Sequence, residues 1–255
     1  MELSYSENIL PSSNCVAVIM PGLGGYKELP YVKAIEKAMW KNNISTLSFD
    51  PLNSLGESSG NFENATFDSH LESLKIAINI AKSKCPDKKL IIVGHSVSAM
   101  VVLWYSANIG DIDYAISFAP LISGKLYENP KNSDKKQEIE EWKKLGYRLK
   151  PDKDGKKHKV LYSFVDSLQK IDLTKEVEKI KVPVLLITNE KDKTTNADDL
   201  KLLSKSLNEK SKFVIIPEAP HMLKEKEQLE ILEKYISDFV GRINDIQNSK
   251  SYGKY

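Results

Sequence analysis

Short runs rich in Val, Ile and Leu recur along this chain and alternate with segments of helical periodicity. The runs occupy residues 16–20, 44–49, 90–93, 114–118, 182–188 and 212–216. Apolar runs without polar alternation are typical of strands that helices cover on both faces. The pattern therefore predicts an α/β fold built on a doubly wound, mostly parallel sheet.

Apolar side chains at helical spacing fill the intervals between these strands. They predict helices over residues 30–42, 66–84, 99–107, 197–207 and 224–246. Two further segments stand apart from this alternation. Residues 3–10 alternate weakly and predict an edge strand, and residues 248–255 predict a polar, frayed tail.

Residues 121–180, here called the insertion, interrupt the alternation and are too many for a single crossover helix. Ser133 is a candidate helix start and Gly146 a candidate stop. Residues 151–155 form a turn signal, which predicts a hairpin across them. We expect a cap or lid over the carboxyl edge of the sheet, inserted into a core of residues 1–120 and 181–247. A surface insertion without a role at the site is the alternative.

Composition excludes several classes of function. The chain is 41% hydrophobic and 28% charged with a net charge of +2, which gives no reason to expect a nucleic-acid partner. Its two cysteines suit a reducing compartment. No apolar run approaches the ~20 residues that span a bilayer, and the first residues lack the pattern of a signal peptide. We therefore expect a cytoplasmic protein without a membrane span.

Metal and nucleotide signatures are also missing. No His, Cys and Asp residues stand at the spacing of metal ligands. The glycine-rich loop at residues 21–25 lacks the third glycine of a dinucleotide-binding motif. The sequence predicts neither a metal nor a cofactor, and it leaves the oligomeric state open.

The segment from Leu90 to Ala99 predicts a strand, a sharp turn and a helix, with Ser96 at the tip of the turn. A serine in this position is the nucleophile elbow of a large group of hydrolases. The strained serine backbone requires small residues two positions before and after it, so that strand and helix can approach. Gly94 meets this requirement, and Ser98 gives less clearance than glycine.

Further polar residues follow the other predicted strands. Because the carboxyl ends of parallel strands form the binding edge of such a sheet, we expect these residues to meet Ser96. An acid after the strand at residues 182–188, with Asp192 among the candidates, and His221 after the last strand complete the order serine, acid, histidine. The histidine can accept the serine proton, and the acid can orient the imidazole. Backbone N–H groups of Leu23 and Val97 are the candidate donors to a developing oxyanion.

Several neighbouring residues have other expected roles. Glu190 and Asp198 remain rivals of Asp192 as the acid of the site. Asp50 is expected to organise loop backbone, and His95 to have a structural role. His70 is expected to be solvated.

Residues 56–62 (GESSGNF), followed by Thr66 and a long helix, extend the set of motifs. Together these motifs resemble the α/β-hydrolase superfamily, in particular its serine aminopeptidase and monoacylglycerol lipase-like group, which includes cinnamoyl (feruloyl) esterases. The resemblance covers residues 14–120 and 180–240. It implies Ser96 as nucleophile, Asp192 as acid and His221 as base, and Leu23 and Val97 as the oxyanion hole.

The chain departs from this family at three positions. Pro21 stands where the family usually has histidine, and Ser98 replaces the elbow glycine. Asn189 replaces a glycine of the acid loop, and asparagine accepts a left-handed backbone better than most residues.

These features predict a serine hydrolase, most specifically a carboxylesterase that cleaves small or medium acyl esters through a Ser-His-Asp triad and an acyl-enzyme. A peptidase, a thioesterase and a monoacylglycerol lipase use the same triad and remain alternatives. A non-catalytic binding protein on the same fold is a further alternative. The expected partner is a small-molecule acyl substrate, with Trp142, Tyr147 and Tyr162 of the insertion as candidate pocket residues.

Overall fold

A computed structural model of the chain describes the backbone of residues 1–251 and the side chains of residues 1–242. Its strands are β1 (Tyr5–Asn8), β2 (Cys15–Met20), β3 (Ser45–Phe49), β4 (Lys89–His95), β5 (Tyr114–Phe118), β6 (Tyr147–Pro151), β7 (Lys157–Leu161), β8 (Val184–Asn189) and β9 (Lys212–Ile216). Its α-helices are α1 (Pro30–Lys41), α2 (Phe67–Lys84), α3 (Val97–Asn108), α4 (Gly124–Glu128), α5 (Ser133–Leu145), α6 (Ser163–Leu168), α7 (Ala197–Ser204) and α8 (Lys226–Ser251).

Seven strands form the central sheet, in the order β1-β3-β2-β4-β5-β8-β9. Strand β1 pairs antiparallel with β3 at one edge, and all other neighbours are parallel. The prediction of a doubly wound, mostly parallel sheet is confirmed. The carboxyl ends of β2, β4, β8 and β9 consequently point to one edge.

Apolar side chains fill both faces of this sheet. Along β2, Val16 and Val18 pack into a cluster with α2 and α3, whereas Ala17 and Ile19 pack into a second cluster with α1 and α8. Successive strand residues point to opposite faces. A strand covered on both faces must therefore be apolar throughout, which explains the continuous runs in the sequence.

Local signals fix where the main helices begin and end. Pro30 is the first residue of α1, where its missing N–H costs no hydrogen bond. Thr66 caps α2 by accepting a hydrogen bond from the Ser69 N–H at 3.1 Å. Helix α5 ends at Gly146, whose φ of 75° is in the left-handed region.

The insertion contains α4, α5, the antiparallel β6–β7 hairpin and α6. The hairpin closes across the turn at residues 152–155, as the turn signal predicts. Trp142 stacks on Phe164 with ring centroids 6.0 Å apart, and both belong to the apolar cluster that contains α2 and α3. The insertion thus packs against the core, and its action as a cap stays a prediction.

The end of the chain differs in part from the predicted polar tail at residues 248–255. The backbone of α8 continues through Ser251, and residues 252–255 lie outside the described residues. Among the helices that the structure describes, none is long and apolar enough to cross a membrane.

We predict that Gly94→Ala destabilises the protein by about 1–3 kcal/mol, the usual cost of forcing extra volume into a packed site. A Cβ at Gly94 would lie 2.4 Å from the Ser98 carbonyl oxygen and 2.7 Å from the Ala99 nitrogen, and neither backbone atom can easily move. Urea unfolding measures the change in the free energy of unfolding.

Gly241→Ala is the matched control for this variant. The nearest atom to a Cβ at Gly241 is 3.6 Å away, and the residue is inside α8. Alanine should therefore stabilise the protein there by up to ~1 kcal/mol. An equal free energy of unfolding for Gly94→Ala and wild type would contradict the close approach of β4 and α3.

Candidate active site

Ser96 stands between the end of β4 and the start of α3. Its φ of 57° and ψ of −122° are unusual for a residue with a side chain. Such a conformation costs about 1–3 kcal/mol and persists only where surrounding contacts hold it. The Ser96 N–H donates to the Phe118 carbonyl at 2.9 Å, which fixes the turn against the end of β5.

Hydrogen bonds join the three predicted residues of the triad. The Ser96 hydroxyl Oγ lies 2.9 Å from His221 Nε2, and His221 Nδ1 lies 2.7 Å from Asp192 Oδ2. A carboxylate can only accept, so Nδ1 carries the proton and Nε2 is free to accept from the serine. Asp192 follows β8 and His221 follows β9, so the parallel sheet brings residues distant in sequence to one edge.

The rival acids lie elsewhere. Glu190 accepts a hydrogen bond from the Glu218 N–H at 2.8 Å. Asp198 lies in the first turn of α7, where its N–H donates to Asn196 at 2.9 Å. Neither carboxylate is bonded to His221.

Asp192 is enclosed by donors. Its Oδ1 accepts from the Thr194 and Thr195 N–H groups at 2.7 Å and 3.0 Å, and its Oδ2 accepts from the Thr195 hydroxyl at 2.7 Å. Burial of the Asp192 carboxyl opposes ionisation, but the hydrogen bond and charge of His221, with the bonds from Thr195, outweigh burial and lower its pKa. Asp192 is therefore ionised at neutral pH and favours the Nδ1–H tautomer of His221.

Leu23 and Val97, whose backbone N–H groups are the candidate oxyanion donors, line the same cavity as Ser96. Val97 is the first residue of α3, so its N–H has no partner within the helix. In the part of the chain that the structure describes, the Leu23 N–H also donates to no protein acceptor. Gly22 brings its loop against the serine, because a Cβ there would lie 3.0 Å from Ser96 Cβ.

Two of the three departures from the family pattern contact each other. The Ser98 hydroxyl donates to the Pro21 carbonyl at 2.6 Å and so links the elbow to the loop that carries Leu23. The backbone of Asn189 is not in the left-handed region, so the tolerance of asparagine for that conformation is not used here. Its side-chain amide instead donates to the Pro220 carbonyl at 2.7 Å, which positions the segment before His221.

A buried ion pair between Asp50 and Lys27 holds the loop that carries Leu23. Asp50 accepts from the Lys27 N–H at 2.7 Å and from the Lys27 ammonium at 3.1 Å. Burial of Lys27 opposes its charge, but hydrogen bonds to Glu57 and Asp50 outweigh burial and raise its pKa to about 12. Asp50 also accepts from the Glu57 N–H at 2.8 Å, so it organises two loops at this edge.

His95 has a closer relation to the site than its sequence position suggests. Its Nε2 lies 3.1 Å from the His221 carbonyl, and the two rings are 4.9 Å apart. Burial, together with the charge of His221, lowers the pKa of His95 to about 3, so this imidazole is neutral and donates to the carbonyl. His95 is thus a buried support for the His221 backbone.

The expectation for His70 is wrong. Its side chain is fully buried, and its Nδ1 lies 2.9 Å from the Thr66 carbonyl. The amphipathic pattern of α2 places this position on the face that packs against the core.

A cavity of about 680 Å³ lies between the insertion and the carboxyl ends of the strands. Ser96, His221, Leu23 and Val97 line it. From the insertion, its walls include Tyr127, Lys135, Arg148, Lys150, Pro151, Asp152, Lys153 and Phe164. The volume suits a small organic ligand.

The predicted pocket residues Trp142, Tyr147 and Tyr162 are not among those that line this cavity. Side chains alternate along β6, so Arg148 and Lys150 face the cavity and Tyr147 points to the opposite face. Trp142 lies behind Arg148, whose guanidinium carbon is 4.0 Å from the indole centroid.

Tyr162 is buried beside Trp142, with ring centroids 6.0 Å apart, and its hydroxyl donates to Glu128 at 2.8 Å. The aromatic residues of the insertion that do line the cavity are Tyr127 and Phe164. Which aromatic side chains of the insertion line the cavity depends on how α5 packs against the β6–β7 hairpin.

Among the described side chains, no group of three His, Cys, Asp or Glu is close enough to hold a metal ion.

Comparison with known proteins gives matches in structure and none in sequence. No family model matches the chain, and no curated protein matches it. The solved structure of Est1E from Butyrivibrio proteoclasticus with ferulic acid bound is similar at a TM-score of 0.75 and 20% identity, covering 93% of this chain and 94% of that one.

Two further structures are similar over most of their length. The mouse alpha/beta hydrolase domain-containing protein 10 has a TM-score of 0.71 at 18% identity, with 94% of both chains covered. An esterase from Pyrococcus furiosus has a TM-score of 0.70 at 19% identity, with 94% of this chain and 85% of that chain covered. The sheet order and these similarities establish that the chain has the α/β-hydrolase fold.

Proposed function

We propose that this protein is a serine hydrolase, and specifically a carboxylesterase that cleaves small or medium acyl esters. The observation that carries the proposal is the continuous hydrogen-bonded series from Ser96 Oγ through His221 to Asp192, with distances of 2.9 Å and 2.7 Å. The unpaired N–H groups of Leu23 and Val97 beside the same hydroxyl support it. Asp192, oriented and ionised, makes His221 a competent base.

Acylation begins when Ser96 Oγ attacks the ester carbonyl carbon and His221 Nε2 takes the hydroxyl proton. The electron pair of the carbonyl double bond moves onto its oxygen, where the N–H groups of Leu23 and Val97 stabilise the charge. The intermediate collapses as the bond to the alcohol oxygen breaks. His221 gives its proton to that oxygen, and the alcohol leaves an acyl-Ser96 ester behind.

Deacylation repeats these steps with water. His221 Nε2 takes a proton from the water as its oxygen attacks the acyl carbon. The second tetrahedral intermediate breaks the bond to Ser96 Oγ, which recovers its proton from His221. The carboxylic acid product leaves, and the site returns to its starting state.

Esters are proposed over amides and thioesters because a solved structure of the same fold is named an esterase, that from Pyrococcus furiosus. A peptidase, thioesterase or monoacylglycerol lipase would share every step above and differ in the leaving group. A non-catalytic binding protein would need neither the strained backbone of Ser96 nor a buried, ionised Asp192 behind His221. Those two features favour catalysis.

We predict that Ser96→Ala lowers kcat for p-nitrophenyl butyrate about a millionfold, because it removes the nucleophile. The same variant should lose covalent labelling by a fluorophosphonate probe. Ester turnover and in-gel labelling measure the two effects, and circular dichroism checks the fold.

Ser106→Ala is the control, because this serine is on the same helix α3 and bonds only to the Val102 carbonyl at 2.7 Å. It should keep both turnover and labelling. Unchanged turnover in Ser96→Ala would exclude the proposed nucleophile.

We predict that Asp192→Asn lowers kcat about 10⁴-fold, because an amide cannot hold His221 in the Nδ1–H tautomer. Glu190→Gln, a loss of the same charge in the same loop, should keep kcat within a few fold. Steady-state kinetics on one ester compares the two variants. A larger loss of kcat in Glu190→Gln than in Asp192→Asn would show that Asp192 is not the acid of the site.

A further inference from the structure

The wall that the insertion contributes to the cavity is strongly cationic. The basic side chains that line the cavity are Lys135, Arg148, Lys150, Lys153 and Lys224. Among the described residues that line it, the one carboxylate close to this wall is Asp152, which is already bonded to His158 Nε2 at 2.6 Å. The cavity therefore presents an excess of positive charge to a bound molecule.

Lys150 is the least satisfied of these cations. Its ammonium donates to the Leu23 carbonyl, and no carboxylate among the described side chains pairs with it. Burial, together with the charges of Arg148 and Lys135, lowers the pKa of Lys150 to about 8. A partly buried cation without a counter-charge is costly for a protein to keep, which favours a role with an anionic ligand.

The neighbouring cations are only partly neutralised. Arg148 is 2.5 Å from one oxygen of Glu138, and Lys135 is 2.9 Å from the other. The Glu138 carboxylate thus pairs with two cations, and no carboxylate among the described side chains pairs with Lys150. Both Arg148 and Lys150 lie on the cavity face of β6 and can approach the same anion.

The position of Lys150 relates it to the reaction. It contacts the carbonyl of Leu23, the residue whose N–H is a proposed oxyanion donor. The loop that carries Leu23 also lies against Ser96, because a Cβ at Gly22 would be 3.0 Å from Ser96 Cβ. An ester bound at Ser96 could therefore place a carboxylate of the same molecule at Lys150. Arginine and lysine bind a carboxylate through charge-assisted hydrogen bonds.

We propose that the cavity selects esters that carry a second, anionic group, a carboxylate on either the acyl or the alcohol part, and that Lys150 with Arg148 determines this specificity. The proposal rests on the proposed function for its ester bond. A purely structural Lys150, which only fastens the hairpin to the Leu23 loop, would affect neutral and anionic esters alike.

The test compares matched esters. For the acyl part, the mono-p-nitrophenyl ester of adipic acid is compared with the same compound methylated on its free carboxylate. For the alcohol part, para-acetoxybenzoate is compared with its methyl ester. Rates without enzyme are subtracted, and the measured quantity is the ratio of kcat/KM for the anionic over the neutral ester.

Wild type should favour the anionic ester about tenfold or more in at least one pair, the usual worth of a charge-assisted hydrogen bond. Lys150→Met should lower that ratio about tenfold, and Lys150→Gln, which keeps a donor without the charge, should lower it similarly. Lys157→Met, on the paired strand of the same hairpin but exposed and outside the cavity lining, should leave the ratio unchanged. The pair that responds identifies which part of the ester carries the anion.

Two results would overturn the specificity proposal. They are a wild-type ratio near one in both pairs, and an equal loss on neutral and anionic esters in the Lys150 variants. Either result leaves the esterase proposal standing, because neutral turnover and fluorophosphonate labelling of Ser96 test that separately.

If no ester is cleaved, calorimetry of monomethyl adipate binding tests whether the cavity has an anion site at Lys150. Binding by wild type that weakens about tenfold in Lys150→Met supports the anion site while the esterase proposal fails. Absence of binding by wild type overturns the anion site as well.

Discussion

The strained backbone at Ser96 is the constraint on which the rest of this edge of the sheet depends. A residue with a side chain keeps a φ of 57° only where contacts with its neighbours stabilise that backbone conformation. Gly94 allows α3 to pass within contact of β4, and Ser98 hydrogen-bonds the Pro21 carbonyl. The turn therefore fixes the nucleophile and the Leu23 loop together, so the hydroxyl and the N–H groups beside it share one rigid frame.

A second layer of buried polar contacts keeps this frame in place. Asp50 pairs with Lys27 under the Leu23 loop, and His95 supports the backbone of His221 from below. Asp50 accepts from the Lys27 and Glu57 N–H groups, and His95 donates to the His221 carbonyl, so each contact fixes the backbone of a loop. Buried polar contacts of this kind can hold loops from distant parts of the chain in register.

The insertion gives the cavity its chemical character. The strand ends contribute backbone N–H groups and the hydrogen-bonded Ser96 and His221, whereas β6 contributes Arg148 and Lys150. Alternation along this one strand separates charged side chains on the cavity face from Tyr147 on the other. The proposed reactivity and the proposed specificity thus belong to different parts of the chain.

The sequence by itself determined that the chain forms a mostly parallel sheet and that Ser96, Asp192 and His221 follow its strands. Strand runs and turn signals are local features, and the order serine, acid, histidine is read directly along the chain. Only the tertiary structure decided which aromatics of the insertion are buried and that Asn189 acts through its side chain. It also decided that Lys150 reaches Leu23. These facts depend on the packing of segments far apart in sequence, and no local pattern encodes the direction in which a side chain from one segment meets another.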